Sequence, residues 1–150
     1  MPNRSVHAGV GIPVGIGAAA FCARRETPEA MIVEAVGGAL GGLAGALLPD
    51  VIDPPSHPNH RGLAHGAVPI GGLAYVSAKN LETMQKQLRA HANRYAFLKQ
   101  TAVSPGLSVW YGFLEILMRV LAGAIAGFIA AYASHVILDF TTPRSLPLVA

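Results

Sequence analysis

The chain has 150 residues, of which 52% are apolar and only 13% are charged. An average soluble domain carries roughly 25% charged residues, so this composition disfavours a compact soluble domain. It also excludes a disordered chain, which needs low hydrophobicity and a high net charge. The formal net charge of +3 is too small to indicate nucleic-acid binding. We therefore predict one membrane-embedded, all-α domain over residues 1–150.

Four apolar stretches are interpreted as membrane-spanning helices: residues 8–23, 30–49, 63–78 and, within the longer block 107–138, the most apolar part 120–138. A span needs about 20 helical residues, so the second and fourth stretches are long enough. The first and third have 16 residues each and need their flanking residues to cross. Alternatively, the first stretch is a signal peptide, because Arg4 precedes it and three alanines at 18–20 form a small-residue site.

The segment 79–106 is the one long polar block of the chain. Its apolar residues recur at helical spacing, which predicts an amphipathic helix able to lie on an anionic membrane surface. With four alternating spans, this block and loop 24–29 share seven basic residues, whereas the other side receives three. The positive-inside rule then places the block in the cytoplasm and both termini outside a bacterial-type inner membrane.

Glycines recur every four residues in the second and fourth stretches, at Gly37, Gly41 and Gly45 and at Gly123 and Gly127. In lipid, such spacing lets helix backbones approach closely. The same faces are candidates for joining copies of the chain into a homo-oligomer.

Five of the six histidines and all three aspartates lie, by this topology, at one membrane face. The candidate metal ligands are His7, Asp50, Asp53, His60, His65, His135 and Asp139. His135 and Asp139 are four residues apart, so a helix presents both on one side. A turn after Pro49 is expected to bring Asp50 and Asp53 together. Imidazole nitrogen and carboxylate oxygen suit borderline divalent cations, although each pair alone would be interpreted as helix-end hydrogen bonding.

Four further ionisable residues have no predicted role in this site. Glu34 is expected to extend towards the cytoplasmic boundary, and Glu115 and Arg119 to neutralise one another at a spacing of four residues. His91, in the polar block, is interpreted as a solvated helix residue.

Three motifs in order resemble the LexA-regulated, membrane-bound, metal-dependent hydrolase family: Leu48–Asp53, His60–His65 and Ser134–Pro143. His7 ahead of a glycine-rich span also looks like the opening of that family. The resemblance implies a small helical inner-membrane protein whose His and Asp residues bind metal. The motifs are more loosely similar to the zinc-dependent phospholipase C and P1 nuclease group, in which such residues hold a zinc cluster that cleaves phosphoesters.

The leading hypothesis is a hydrolase of the membrane that cleaves a lipid-like phosphoester with one or two divalent ions, zinc being expected. The ion would lower the pKa of a bound water from about 15.7 towards about 7. Asp53 would orient that water or act as general base, and Arg61 would stabilise charge on a phosphoryl oxygen. Two alternatives stay open: a non-enzymatic metal-binding or structural partner subunit, and a membrane anchor with a decayed site whose amphipathic helix docks a partner.

Overall fold

A computed structural model of the chain describes residues 4–52 and 67–140, and these two ranges contain helices and no strand. The helices are α1 (Arg4–Cys22), α2 (Pro28–Ile52), α3 (Ala67–Gln100) and α4 (Pro105–Phe140). By length and composition, α1, α2 and α4 can cross a membrane. The predicted all-α membrane bundle is therefore confirmed.

Two of the helices begin with the same local chemistry. Thr27 accepts a hydrogen bond from the Ala30 backbone N–H, and Pro28 occupies the first helical position of α2. Ser104 likewise accepts from the Leu107 N–H, with Pro105 opening α4. A side-chain oxygen followed by proline satisfies an orphan donor and presets the first helical φ angle. These caps fix where the α1–α2 and α3–α4 turns end.

Small residues fill the interior of the bundle, and large apolar side chains point outward. Ala46, Ala122 and Ala131 are fully buried, whereas Ile32 and Leu40 on α2 are more than half exposed. A soluble protein would bury the larger side chains, because their burial provides most of the hydrophobic stabilisation. The inverted arrangement is that of a bundle surrounded by lipid, in which close backbone contact replaces a hydrophobic core.

Helix α2 is central because glycines cover two of its faces. Gly37, Gly41 and Gly45 lie against the backbone of α4, and Gly38 and Gly42 lie against α1. A Cβ atom at any of these positions would overlap the backbone or side chains of the neighbouring helix. The close packing predicted from the spacing is confirmed. These faces are covered within one chain, so they are not available for joining two copies.

The glycine contacts also fix the helix directions. Contacts advance together along α2 and α4, from Gly37 with Val120 to Gly45 with Phe128, so the two helices are parallel. Helix α1 is antiparallel to both. The start of α1 and the final turns of α2 and α4 therefore lie at one end of the bundle. We call the other end, where residues 23–27 connect α1 to α2, the loop end.

Helix α3 differs from the sequence prediction because it continues without a break from Ala67 to Gln100. The polar block is thus the second half of a long helix rather than a separate element. Helix α3 packs on α4 of the same chain, with the rings of Tyr95 and Tyr111 stacked 6.4 Å apart. Residues 63–66, the start of the predicted third span, lie outside the described residues.

Helix α2 also extends further than its apolar stretch suggests. A turn was expected directly after Pro49, but the helix continues through this residue to Ile52. Pro49 is fully buried between helices, where packing compensates for the missing backbone donor. Asp50 is consequently a helical residue, so its direction is set by the helix and not by a turn.

Candidate metal site

Four of the predicted ligands come together at the end opposite the loop end. His7 lies one turn into α1, Asp50 lies near the end of α2, and His135 and Asp139 occupy the last turns of α4. The side chains of His7 and His135 are 2% and 0% exposed, and Asp139 is equally buried. We call these four residues the His/Asp cluster.

The orientation of His135 is fixed by the backbone of α2. Its Nδ1–H donates a hydrogen bond to the carbonyl of Ala46, because a carbonyl can only accept. The other ring nitrogen, Nε2, lies 3.6 Å from an Asp50 oxygen and 3.6 Å from an Asp139 oxygen. In a neutral ring, this Nε2 would turn a lone pair towards two carboxylates. A proton or a cation is needed at this point to remove that repulsion.

Asp139 connects the two histidines. Its Oδ1 lies 3.5 Å from His7 Nε2, and its Oδ2 faces His135. The two imidazole rings are stacked, with centroids 3.7 Å apart and an angle of 15° between their planes. One donor atom each from His7, His135 and Asp139 can be chosen so that all three lie within 4.8 Å of one another.

The nitrogen–oxygen separations of 3.5 and 3.6 Å can be compared with the spacing of two ligand atoms on one ion. Two ligand atoms bound at about 2.0–2.2 Å to one tetrahedral ion lie about 3.3–3.5 Å apart. The donor set of two imidazoles and two carboxylates also suits a borderline divalent cation.

The site residues predicted from the sequence fall into two groups. His7, Asp50, His135 and Asp139 meet as expected, although α1, α2 and α4 supply them from positions up to 132 residues apart. The other four, Asp53, His60, Arg61 and His65, lie outside the described residues. Their predicted roles as ligands, base and phosphoryl contact stay predictions.

A second buried polar cluster, near the loop end, was missed by sequence reasoning. Glu34, expected to extend to the boundary, is fully buried, and its carboxylate accepts two hydrogen bonds from Arg89 on α3, at 2.9 and 2.6 Å. The hydrogen bond to Glu34 raises the pKa of Arg89 above its usual value. An acid inside an apolar stretch signals a buried partner, but 55 residues separate this pair, so the sequence does not identify which cation it is.

Arg119 completes this cluster from α4. Its guanidinium donates to Asn93 at 2.9 Å and pairs with Glu26 in the α1–α2 turn at 3.5 Å. The predicted pairing with Glu115 is also present, at 3.5 Å. Arg119 is therefore shared among three elements and is not neutralised within its own helix alone. We call Glu26, Glu34, Arg89 and Arg119 the Arg/Glu cluster.

Comparison with known proteins identifies the protein family of the chain and gives no catalytic activity. One family model, described as YdjM inner membrane protein, matches residues 1–150. No curated protein and no solved structure matches the chain.

Proposed function

The chain belongs to the YdjM inner membrane protein family, and we propose that it is a metal-dependent hydrolase of that membrane. The supporting observation is the His/Asp cluster: two imidazoles and two carboxylates from three helices, gathered at one end of a membrane bundle. Ionisable groups buried at membrane depth are costly, so they mark functional sites more often than structural ones.

Charge balance favours a divalent ion over protons in the His/Asp cluster. Protonating both rings would place two positive charges 3.7 Å apart, which costs about 4.5 kcal/mol at an effective dielectric constant of about 20. A single divalent cation would supply the same charge to Asp50 and Asp139 without that repulsion. His7, His135 and Asp139 would hold it, and the Nδ1–H of His135, anchored on Ala46, would keep the ring in the ligating orientation.

The exposure of the side chains in the His/Asp cluster indicates which of them faces the substrate. Asp50 is the most accessible member of the cluster, with 14% of its side chain exposed, so it faces the side from which a substrate arrives. When bound, zinc would supply a Lewis acid that lowers the pKa of a coordinated water to about 7. Asp50 would complete the ligand set, and Asp53 and Arg61 keep their proposed roles as base and phosphoryl contact.

The surroundings of the cluster favour an amphiphilic substrate. Val51 and Ile52 at the end of α2 and Ile137 on α4 are all about 60% exposed and lie within three residues of a cluster member. Apolar side chains here would contact the tail of a substrate whose polar group reaches the buried donors. A lipid-like phosphoester has this chemistry, which also gives a reason for a hydrolase to be embedded in the membrane.

We place the site on the extracytoplasmic face because of the charge asymmetry. Among the described side chains, the loop end carries Arg24, Arg25, Lys86, Arg89, Arg94, Lys99 and Arg119. The opposite end carries Arg4. A cysteine at Ser104 in a Cys22→Ala background should react with an impermeant maleimide only in opened cells, whereas one at Ser56 should react in intact spheroplasts. The reverse pattern would place the site in the cytoplasm.

Elemental analysis of the detergent-purified protein tests whether the His/Asp cluster binds a metal ion. We expect about one zinc-type ion per chain, lost in Asp139→Asn and His135→Gln and retained in His91→Ala. His91 is exposed on α3, so its substitution controls for the loss of a histidine as such. Asp139→Asn preserves side-chain size, and circular dichroism would check that both site variants remain folded.

Hydrolysis is tested separately with phosphoester and phospholipid substrates. We expect cleavage that chelator abolishes and added zinc restores, and that is absent in Asp139→Asn. A metal content that responds to the site variants, without cleavage of any substrate, would favour the non-enzymatic metal-binding alternative. Metal-free protein unaffected by the variants would contradict the proposal.

A further inference from the structure

A cavity of about 660 Å³ opens at the loop end, far from the His/Asp cluster. One wall is the end of α1 and the α1–α2 turn, and the other is the polar half of α3. The basic side chains that line it are Arg24, Arg25, Lys86 and Arg89, and the acidic ones are Glu26 and Glu82. Its volume falls within the range of about 300–1,000 Å³ that is usual for ligand sites.

Most of the negative charge near this cavity is already neutralised. Glu34, behind the wall, is paired with Arg89, and Glu26 lies 3.5 Å from Arg119. Of the remaining lining, Lys86 pairs with Glu82, but both side chains are more than 70% exposed. An exposed pair of this kind contributes little and can open at low cost.

Arg24 and Arg25 are not members of the Arg/Glu cluster, so the carboxylates of that cluster do not neutralise their positive charge. The Arg24 guanidinium donates to the Phe21 carbonyl at 2.8 Å and lies 4.2 Å from the Phe21 ring centroid, so it is held beside the end of α1. Together with Lys86, these arginines give the cavity a surplus of cations over Glu82, the lining acid that remains once Glu26 is paired with Arg119.

The cavity lies at the depth where the spans end. Cys22, the last residue of α1, is in its wall, and α2 begins six residues later at Pro28. The side chains of Phe21 and Ile32, close to this boundary, are 65% and 62% exposed and face the surroundings of the bundle. A ligand in the cavity would thus have its polar group among arginines, with the exposed Phe21 ring in contact with one of them, Arg24.

We infer that this cavity binds the phosphate-bearing headgroup of an anionic phospholipid. Basic pockets at the ends of membrane helices recognise such headgroups through guanidinium and ammonium groups, and Arg25 and Arg24 match a phosphate in charge and geometry. The acyl chains would lie along the exposed Phe21 side chain at the end of α1. This site does not depend on the proposed hydrolase activity, because it involves none of the His/Asp cluster.

Cys22 provides a direct reporter, since it is the only cysteine of the chain and lines the cavity. The test is the rate at which a maleimide labels Cys22 in the full chain, in mixed micelles containing phosphatidylglycerol or phosphatidylcholine. With phosphatidylglycerol at about ten times its dissociation constant, the fraction of free sites and the labelling rate should fall about tenfold. Phosphatidylcholine should leave the rate unchanged.

Matched variants separate headgroup binding from general charge effects. Arg24→Gln combined with Arg25→Gln should abolish the protection, whereas Arg94→Gln, an exposed position on α3 outside the cavity, should keep it. Phosphatidylglycerol should also raise the thermal midpoint of the wild type and not of the double variant.

Three results would overturn the inference. Equal labelling rates in the two lipids would show that no anionic headgroup is recognised. Undiminished protection in the double arginine variant would show that the lipid binds elsewhere. Protection by millimolar inorganic phosphate as strong as that by phosphatidylglycerol would assign the cavity to a soluble anion instead.

Discussion

At the loop end of the bundle, buried carboxylates lie beside guanidinium groups, whereas at the opposite end they lie beside imidazoles. The two clusters are about 24 Å apart along the helices, since 16 residues separate Glu34 from Asp50 on α2 and Arg119 from His135 on α4. Both clusters join three helices, and each contains fully buried side chains, Glu34 in one and His135 in the other. They differ in whether the positive partner has a fixed charge.

Because of that difference, the charge of the Arg/Glu cluster is constant, whereas the charge of the His/Asp cluster can change when its imidazoles gain or lose a proton. Arginine is ionised at every physiological pH, so the pairs with Glu34 and Glu26 are balanced without any further group. An imidazole carries charge only when it binds a proton, and it coordinates a metal only when it does not. The His/Asp cluster can therefore exchange its balancing charge, which a metal site requires and a structural ion pair does not.

Removing an ion pair from the Arg/Glu cluster should have the largest effect on the free energy of unfolding. Arg89→Met leaves the fully buried Glu34 carboxylate without its guanidinium, and losing one partner of a buried pair typically costs about 3–5 kcal/mol. Glu34→Gln should cost less, because Arg89 still lies 3.9 Å from Glu26. Unfolding in mixed micelles measures both. The double variant Glu34→Met with Arg89→Met should recover most of the loss, and a loss below about 1 kcal/mol in Arg89→Met would contradict the assignment.

Zinc binding to the His/Asp cluster should have the next largest effect on the free energy of unfolding. If the native protein alone binds zinc, free zinc at about 100 times its dissociation constant should raise the free energy of unfolding by about 2.7 kcal/mol. His7→Gln should abolish this increment, whereas Arg119→Met should lower the starting stability and keep the increment. An increment that disappears in both variants would mean that the two clusters are coupled.

Disturbing the glycine contacts between the helices that carry the two clusters should have an intermediate effect on the free energy of unfolding. Gly41 lies between them on α2 and touches the backbone of Ala124, so Gly41→Ala should cost about 1–3 kcal/mol by overpacking. Gly9→Ala is the matched control, since no neighbouring atom lies within 4 Å of the position that an added Cβ would take there. It should cost nothing and can add up to about 1 kcal/mol through helix propensity. Equal effects would contradict the close packing.

The smallest effect is expected at the exposed pair of Glu82 and Lys86. The hydrogen bond and charge of Lys86 lower the pKa of Glu82 below its ordinary value of 4.5. A lowered pKa means that the contribution is present above pH 4.5 and is lost as the pH falls through the pKa of the folded state. Glu82→Gln should therefore shift the thermal midpoint slightly at about pH 7, and this shift should diminish as the pH falls below 4.5. A large shift at neutral pH would show that the pair is not solvent-screened.

Several features followed from the sequence because they depend on neighbours along the chain. Stretches of apolar residues predicted α1, α2 and α4 as spans, whereas the stretch 63–78 is not matched by a candidate span among the described residues. Glycine spacing of four predicted which faces pack closely, as at Gly37 and Gly41. Reversal of the chain direction from each helix to the next, α3 included, brings His7, Asp50 and His135 to one end.

Tertiary structure alone decided which distant groups meet. The pairing of Glu34 with Arg89, the hydrogen bond from His135 to Ala46 and the continuation of α2 through Pro49 depend on how helices are rotated about their axes. Sequence periodicity gives the face of one helix but not the residue opposite it, since that residue is fixed by backbone contact between helices. The sequence thus determined the composition of each end, and packing determined which charges balance one another there.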